Sequence, residues 1–269
     1  MPPPIALTIA GFDPSSGAGI TADLQTFAAH GLFGISAITA LTVQSTLGVA
    51  AIEPVSAELL RQTLDHLNAD TPPAGVKIGM LAAREIVAQT VTFINSHKLL
   101  IPIVLDPILL SSSGVPLLDP EGLRALQEVL LDQVSWITPN WAELAVLTSR
   151  KVQFAPDAET ALHALGRRYP HLHIVATGGD HGDHPLDLLR TPTGEIHPFP
   201  GKRIETTSTH GTGCAFSSAL LSRLILGDTP LTAVAGAKAF VEGALRHAPG
   251  VGHGRGPMDL LWPLRHPSA

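Results

Sequence analysis

The chain has 269 residues, a net charge of −6, and 45% hydrophobic residues against only 4% aromatic ones. This length accommodates one extended, aliphatic α/β core, and an acidic balance with no basic run argues against a nucleic-acid surface. The lone cysteine, Cys214, excludes an internal disulfide and suits a cytoplasmic protein. Met1-Pro2-Pro3-Pro4 lacks the basic region of a signal peptide, and the apolar runs are too short and interrupted to span a bilayer.

In chain order, Ile5 to Gly11 is a buried apolar strand ending in the loop Phe12 to Gly17. A helix follows from Ala18 to His30, with Ile20, Leu24 and Phe27 at helical spacing. Gly34 to Val43 reads as a β-branched strand and Gly48 to Val55 as its neighbour, after which Ser56 caps a helix carrying Leu59, Leu60, Leu64 and Leu67. Strand Val76 to Met80, a helix from about Ala83 to His97 and strand Ile103 to Asp106 lead into a flexible stretch, Leu109 to Gly114. Then come a helix near Pro120 to Leu131, strand Ser135 to Pro139, helix Trp141 to Leu147, helix Pro156 to Tyr169 and strand His173 to Thr177. Leu186 to Phe199 has the pattern of a hairpin turning at Thr193-Gly194. Helices Thr212 to Leu226 and Pro230 to His247 precede a Pro- and Gly-rich tail, expected to close over one edge of the ligand site or simply to cap the sheet. With no repeat and no linker, residues 1–269 read as a single domain.

The alternation predicts a mainly parallel sheet covered on both faces, whose ligands bind at the carboxyl ends of the strands. Gly11 and Asp13, Gln44, Met80, Asp106, Asn140 and Gly178 to Asp180 all follow predicted strands. The most informative stretch is Thr209-His210-Gly211-Thr212-Gly213-Cys214-Ala215-Phe216. Its glycines allow a tight turn that leaves peptide N–H groups unpaired at a helix start, where negative charge is favoured. Cys214 sits where a thiol is most easily made anionic. An anion hole beside a candidate base is what a small-molecule kinase needs without a Walker loop.

Ile9-Ala10-Gly11-Phe12-Asp13-Pro14-Ser15-Ser16-Gly17-Ala18-Gly19-Ile20 resembles the opening of the hydroxymethylpyrimidine/phosphomethylpyrimidine kinases of thiamin biosynthesis. Ile38 to Gln44, Lys77 to Leu81, Val104 to Pro107, Thr138-Pro139-Asn140 with Glu143, and His210 to Cys214 follow in the family's order, so the resemblance covers nearly the whole chain. It implies a ribokinase-like three-layer α/β/α sandwich, ATP with magnesium (leaving room for a monovalent cation), a homodimer, and two successive phosphorylations of a small pyrimidine. Nucleic acid and membrane are not among the expected partners.

Carried over residue by residue, the resemblance gives Gln44 the amino-pyrimidine edge, which an amide matches with a donor and an acceptor. Asp23 and the Gly11 backbone line the same pocket and Met80 packs on the ring. Cys214 takes the hydroxyl proton while the Gly211, Thr212 and Gly213 amides hold the phosphoryl group. Asp106 and Glu143 supply oxygens for magnesium, and Asn140, Thr177, Gly179 and Lys238 face the nucleotide. Read alone, the same residues fit plainer roles. Gln44 suits a strand-end cap, Asp23 an exposed helical acid, Met80 core filling and Cys214 a buried small residue. Asp106-Pro107 suits a turn, Asn140 a helix cap and Lys238 a solvated helical lysine.

Three departures stand out. Ser111-Ser112-Ser113-Gly114 and Thr177 replace family lysines, and Ser16 replaces a common glycine. Two cations expected near the nucleotide phosphates are therefore missing, which bears on the second phosphorylation. A pyridoxal or pyridoxine kinase on the same fold is the nearest rival, weakened by the lack of a second cysteine. A noncatalytic pyrimidine sensor is the rival of another class. Asp180-His181-Gly182-Asp183-His184 reads as a solvated loop rather than a metal cluster.

Overall fold

The computed structural model of the protein describes residues 2–110, 114–179 and 185–266. The predicted polar loop Asp180 to His184 and the serines Ser111 to Ser113 lie outside the described residues.

The strands are β1 (Ile5–Phe12), β2 (Phe33–Ser45), β3 (Gly48–Pro54), β4 (Gly75–Ile78), β5 (Ile103–Leu105), β6 (Trp136–Ile137), β7 (His173–Ala176), β8 (Leu186–Arg190) and β9 (Ile196–Pro200). Among the described residues they form one nine-stranded sheet in the order β3-β2-β1-β4-β5-β6-β7-β8-β9. Strands β2, β1, β4, β5, β6 and β7 run parallel. The antiparallel pairings lie at the two edges, β3 on β2 and the β8–β9 hairpin on β7.

The helices are α1 (Gly19–Ala29), α2 (Ala57–Asp70), α3 (Arg84–His97), α4 (Pro120–Ala125), α5 (Trp141–Thr148), α6 (Ala155–Arg168), α7 (Thr212–Ile225), α8 (Pro230–Arg246) and the short α9 (Trp262–Arg265). A π-helical turn over Leu126–Leu130 continues α4. Alternation along the strands splits the core in two. Leu7, Ile9, Val76, Ile78, Leu105 and Ile137 share one cluster with α3, α5 and α6, whereas Ala6, Val104, Trp136 and Val175 share another with α7 and α8. The result is a three-layer sandwich, as the sequence predicts.

Local signals explain the boundaries. Ser56 Oγ accepts the Leu59 N–H at the start of α2, Asp119 caps α4, and Thr229 caps α8 ahead of a proline. Helix α3 ends on Lys98 in a left-handed conformation, φ 48°. After β1 the chain moves outward to β2 and β3, then returns to place β4 on the other side of β1. That reversal opens a crevice at the carboxyl ends of β1 and β4, where such sheets bind ligands.

Candidate active site

The crevice is a cleft of about 650 Å³ that gathers the loop after β1, the end of β2, Met80 beyond β4, Asp106 beyond β5 and the start of α7. Of the residues expected at the site, Gly11, Gln44, Met80, Asp106, Asn140, Glu143, Thr177, Gly211, Thr212, Gly213 and Cys214 all line it. A second pocket of about 250 Å³ shares Asn140, Thr177, Thr212 and Gly213 with the cleft and adds Gly179 and Lys238. Two adjoining spaces thus meet at the helix start.

That start is built for an anion. Gly211 has φ 79°, and a Cβ there would overlap the Gly17 carbonyl, so only glycine closes the turn against the first loop. The first intrahelical bond runs from the Ala215 N–H to the Gly211 carbonyl, and among the described residues no side chain caps the helix. The Thr212, Gly213 and Cys214 amides therefore open onto the cleft at the positive end of α7.

Asp106 lies just beneath: a Cβ on Gly213 would stand 3.6 Å from Asp106 Oδ2. The Asp106 carboxylate is buried, accepts the Ser217 hydroxyl at 3.2 Å and takes a hydrogen bond from the Cys214 thiol. Burial pushes its pKa up to about 6, helped by the charge of Asp23 and opposed by Lys77. Burial also pushes the Cys214 thiol up to about 12, against the pull of Lys77 and a hydrogen bond from the Gly19 backbone. The expectation of an easily ionised cysteine is thus corrected. The helix terminus is there, but the thiol is 5% exposed and sits beside two acids.

Asp23 also departs from expectation. It does not line the cleft but lies fully buried behind it. Its carboxylate accepts hydrogen bonds from Lys77 Nζ at 2.9 and 3.0 Å, Thr8 Oγ1 at 2.6 Å and Ser218 Oγ at 2.7 Å. Thr8 and Lys77 are register partners on β1 and β4, pointing toward α7. The reading of the sequence missed Lys77 as a site residue. Its signal was a charged residue inside the otherwise apolar run Val76–Ile78.

At the other end of the cleft, Met80 occupies the space that a Cβ on Gly11 would need. With Ala40 and Leu117 it forms a small buried apolar cluster. Gln44 stands above it and contacts His210 at 2.9 Å, while His210 contacts Asp13 at 2.8 Å. His210 and Asp13 were visible as motif letters, yet only the folded chain brings them together across 197 positions.

Asn140 and Glu143 form a reciprocal capping box. Asn140 Oδ1 accepts the Glu143 N–H, and Glu143 Oε2 accepts the Asn140 N–H, each at 2.9 Å. Asn140 is therefore the helix cap that the plainer reading foresaw, at the shared rim of both pockets. Lys238 Nζ pairs with Asp187 at 2.6 Å, and Asp187 also accepts the Gly178 N–H, so the lysine is anchored rather than solvated.

Thr177 sits on the shared wall, but cations reach the second pocket from elsewhere: Lys202 and Arg203 after β9, and Lys238 from α8. The tail takes an unexpected place. Its Gly254 N–H reaches Thr46 Oγ1 at the β2–β3 turn, and Arg255 lines the main cleft rather than the second pocket.

Among the described residues no group of three or more His, Cys, Asp or Glu is placed to hold a metal by itself. Magnesium bound with substrate phosphates needs only one or two carboxylates. Asp106 and Glu143, both in the cleft, fit that requirement; two buried acids around the single ammonium of Lys77 leave negative charge for a cation to offset. No helix among the described residues is long and apolar enough to cross a membrane.

Comparison with known proteins agrees with this geometry. The family model described as phosphomethylpyrimidine kinase matches residues 13–259. The hydroxymethylpyrimidine/phosphomethylpyrimidine kinase of Rhizobium meliloti is 40% identical over 258 residues, covering 94% of this chain and 96% of the relative. Among solved structures, the Staphylococcus aureus pyridoxal kinase in complex with ADP superposes with a TM-score of 0.88 at 27% identity, over 98% of this chain and 95% of that one. A phosphomethylpyrimidine kinase from Clostridium difficile gives 0.76 at 32% identity, over 89% and 98% of the two chains. With a family match over residues 13–259 and a relative 40% identical over nearly its whole length, the chain belongs to the phosphomethylpyrimidine kinases.

Proposed function

We propose that residues 1–269 form one cytoplasmic kinase domain that phosphorylates 4-amino-5-hydroxymethyl-2-methylpyrimidine with ATP, and then its monophosphate, in thiamin biosynthesis. The observation that carries this reading is the single cleft in which Gln44, Met80, Cys214 and the Gly211–Gly213 turn face one space. The pyrimidine lies on Met80 with its amino edge on Gln44, and its hydroxymethyl group points at the anion turn. ATP enters from the second pocket, where Asn140, Thr177 and Gly179 line the wall and the cations Lys202, Arg203 and Lys238 alternate with Asp187, Glu205 and Glu242.

The hydroxymethyl oxygen attacks the γ-phosphorus and ADP leaves. The Gly211, Thr212 and Gly213 amides hold the equatorial oxygens, and positioning and electrostatics carry most of the acceleration. Because the thiol stays protonated in the free protein, Cys214 acts as a relay. It takes the hydroxyl proton as its own passes to Asp106, to which it is already hydrogen-bonded. Magnesium, held by Asp106 and Glu143, would neutralise charge on the phosphates.

The exposed apolar residues Leu41, Val43 and Leu47 on the β2–β3 edge support the homodimer that the family resemblance implies. A second reading, phosphorylation of pyridoxal, draws on the close superposition with pyridoxal kinases. Incubation with magnesium-ATP and each substrate, with products resolved by mass spectrometry, tests both. Pyrimidine diphosphate is the expected product. Turnover of pyridoxal alone overturns the reading, and monophosphate alone removes the second step.

A further inference from the structure

The contacts around His210 pose a donor–acceptor conflict whose solution bears on substrate choice. Asp13, 3% exposed, accepts the Ser15 N–H at 2.8 Å and the Ser15 hydroxyl at 2.7 Å on one oxygen, and the Ala18 N–H at 2.9 Å on the other. Burial raises its pKa, but the hydrogen bonds from His210 and Ser15 outweigh that and hold it below the usual carboxylate range. Asp13 is thus an ionised, acceptor-only group. His210 Nε2, at 2.8 Å from Asp13 Oδ2, must therefore carry a proton.

The same nitrogen lies 2.9 Å from Gln44 Nε2. Two N–H groups cannot bond each other. Amide oxygen and nitrogen have nearly the same shape, so orientation is decided by partners. A half-turn of the Gln44 amide resolves every contact. Its oxygen then accepts from His210 Nε2–H in a bond shared with Asp13. Its NH₂ meets Thr42 Oγ1, 3.2 Å away; that hydroxyl donates its own proton to the Phe12 carbonyl at 2.9 Å and is left as an acceptor.

We infer that His210, held in its Nε2–H form by Asp13, is a positioning residue that locks the polarity of the Gln44 amide and so fixes which donor–acceptor order of a ring the cleft accepts. The inference rests on the reading that Gln44 meets the pyrimidine edge. The 4-amino ring offers a donor beside an acceptor nitrogen, whereas its 4-oxo analogue offers the reverse order. A locked amide meets only one of them with both bonds made; a free amide turns to suit either.

The test compares kcat/KM for the 4-amino substrate and the 4-oxo analogue in wild type and His210→Phe, which keeps a ring against Gly17 but has no N–H. Sites built around buried hydrogen bonds reject mismatched analogues by about 100-fold or more. In His210→Phe the preference should fall at least tenfold. Any loss of rate from disturbing the anion turn is common to both substrates and cancels in the ratio. An unchanged preference overturns the inference.

Failure of the wild type to phosphorylate either ring would sink the proposed function instead. The lock is then decided by ¹⁵N–¹H spectra of the wild-type histidine rings, the His210 signal being identified by its loss in the variant. A proton on Nε2 is expected; a ring that carries its proton on Nδ1 alone refutes the lock. The same spectra decide the matter if His210→Phe fails to fold, the signal then being identified with His210→Gln.

Discussion

Replacing Lys77 with methionine probes the charge cluster under the cleft most directly. Lys77 and Asp23 are both 0% exposed and meet at 2.9 Å. Methionine keeps the unbranched stem and removes only the ammonium. Asp23 keeps its Thr8 and Ser218 hydroxyl donors, so the loss is mainly one of countercharge. Breaking a buried pair by removing one partner costs about 3–5 kcal/mol. The upper half of that range, roughly 4 kcal/mol, is expected because Lys77 also offsets Asp106. This is a large share of a total stability of about 5–15 kcal/mol. Adding Asp23→Asn removes the orphaned charge and should restore about 2 kcal/mol or more. Urea unfolding of wild type, both single variants and the double variant at neutral pH completes the cycle. A cost below about 1 kcal/mol for Lys77→Met, or single effects that add to within about 0.5 kcal/mol, would refute the argument.

Three further outcomes follow from the geometry. Cys214→Ala should lower kcat by about 100-fold with little change in KM for the ring, and the wild-type thiol, pushed up to about 12, should react only slowly with alkylating reagents at neutral pH; rapid labelling of the ligand-free protein contradicts the buried, protonated cysteine. Burial keeps Asp106 protonated up to about pH 6 in the metal-free protein, and only its carboxylate can accept the relayed proton or hold magnesium, so kcat/KM should rise with pH through that region and level off above it. A flat profile in wild type, or an unaltered rise in Asp106→Asn, excludes a role for the Asp106 carboxylate. Lys98→Gly, at the exposed left-handed end of α3, should raise stability in chemical denaturation by roughly 0.5–1 kcal/mol, and a loss of stability excludes backbone strain there.

The alternation of apolar runs and helical periods makes the layers legible, because strands such as Ile5–Phe12 are buried on both faces and read as continuous apolar stretches. The strand-end rule finds most of the cleft for the same reason. What sequence does not carry is depth. Asp23 and Gln44 are both polar residues in recognisable motifs, but one lies buried between the sheet and α7 and the other in the opening, a difference set by α7 packing over β4 and β5. Cys214 shows the same limit: its position at a helix start was readable, and the low-dielectric surroundings that override the helix dipole were not. Ser16, where glycine is common, adopts φ 63°, so that departure is tolerated as local strain.

The contact between Gly17 and Gly211 joins the first loop of the chain to the last third of it. Helix α7 covers the centre of the sheet, against β4 and β5, although in the chain it follows every one of the described strands. Until residue Ile225 has emerged, the face carrying Ala6, Val104 and Trp136 has no cover from α7. Closing loops of such length is entropically costly, so the site should form late in folding. A nascent chain lacking α7 would expose a sticky apolar surface, and loss of the final third would leave no residual activity because the anion turn and the ring pocket have no existence apart from each other.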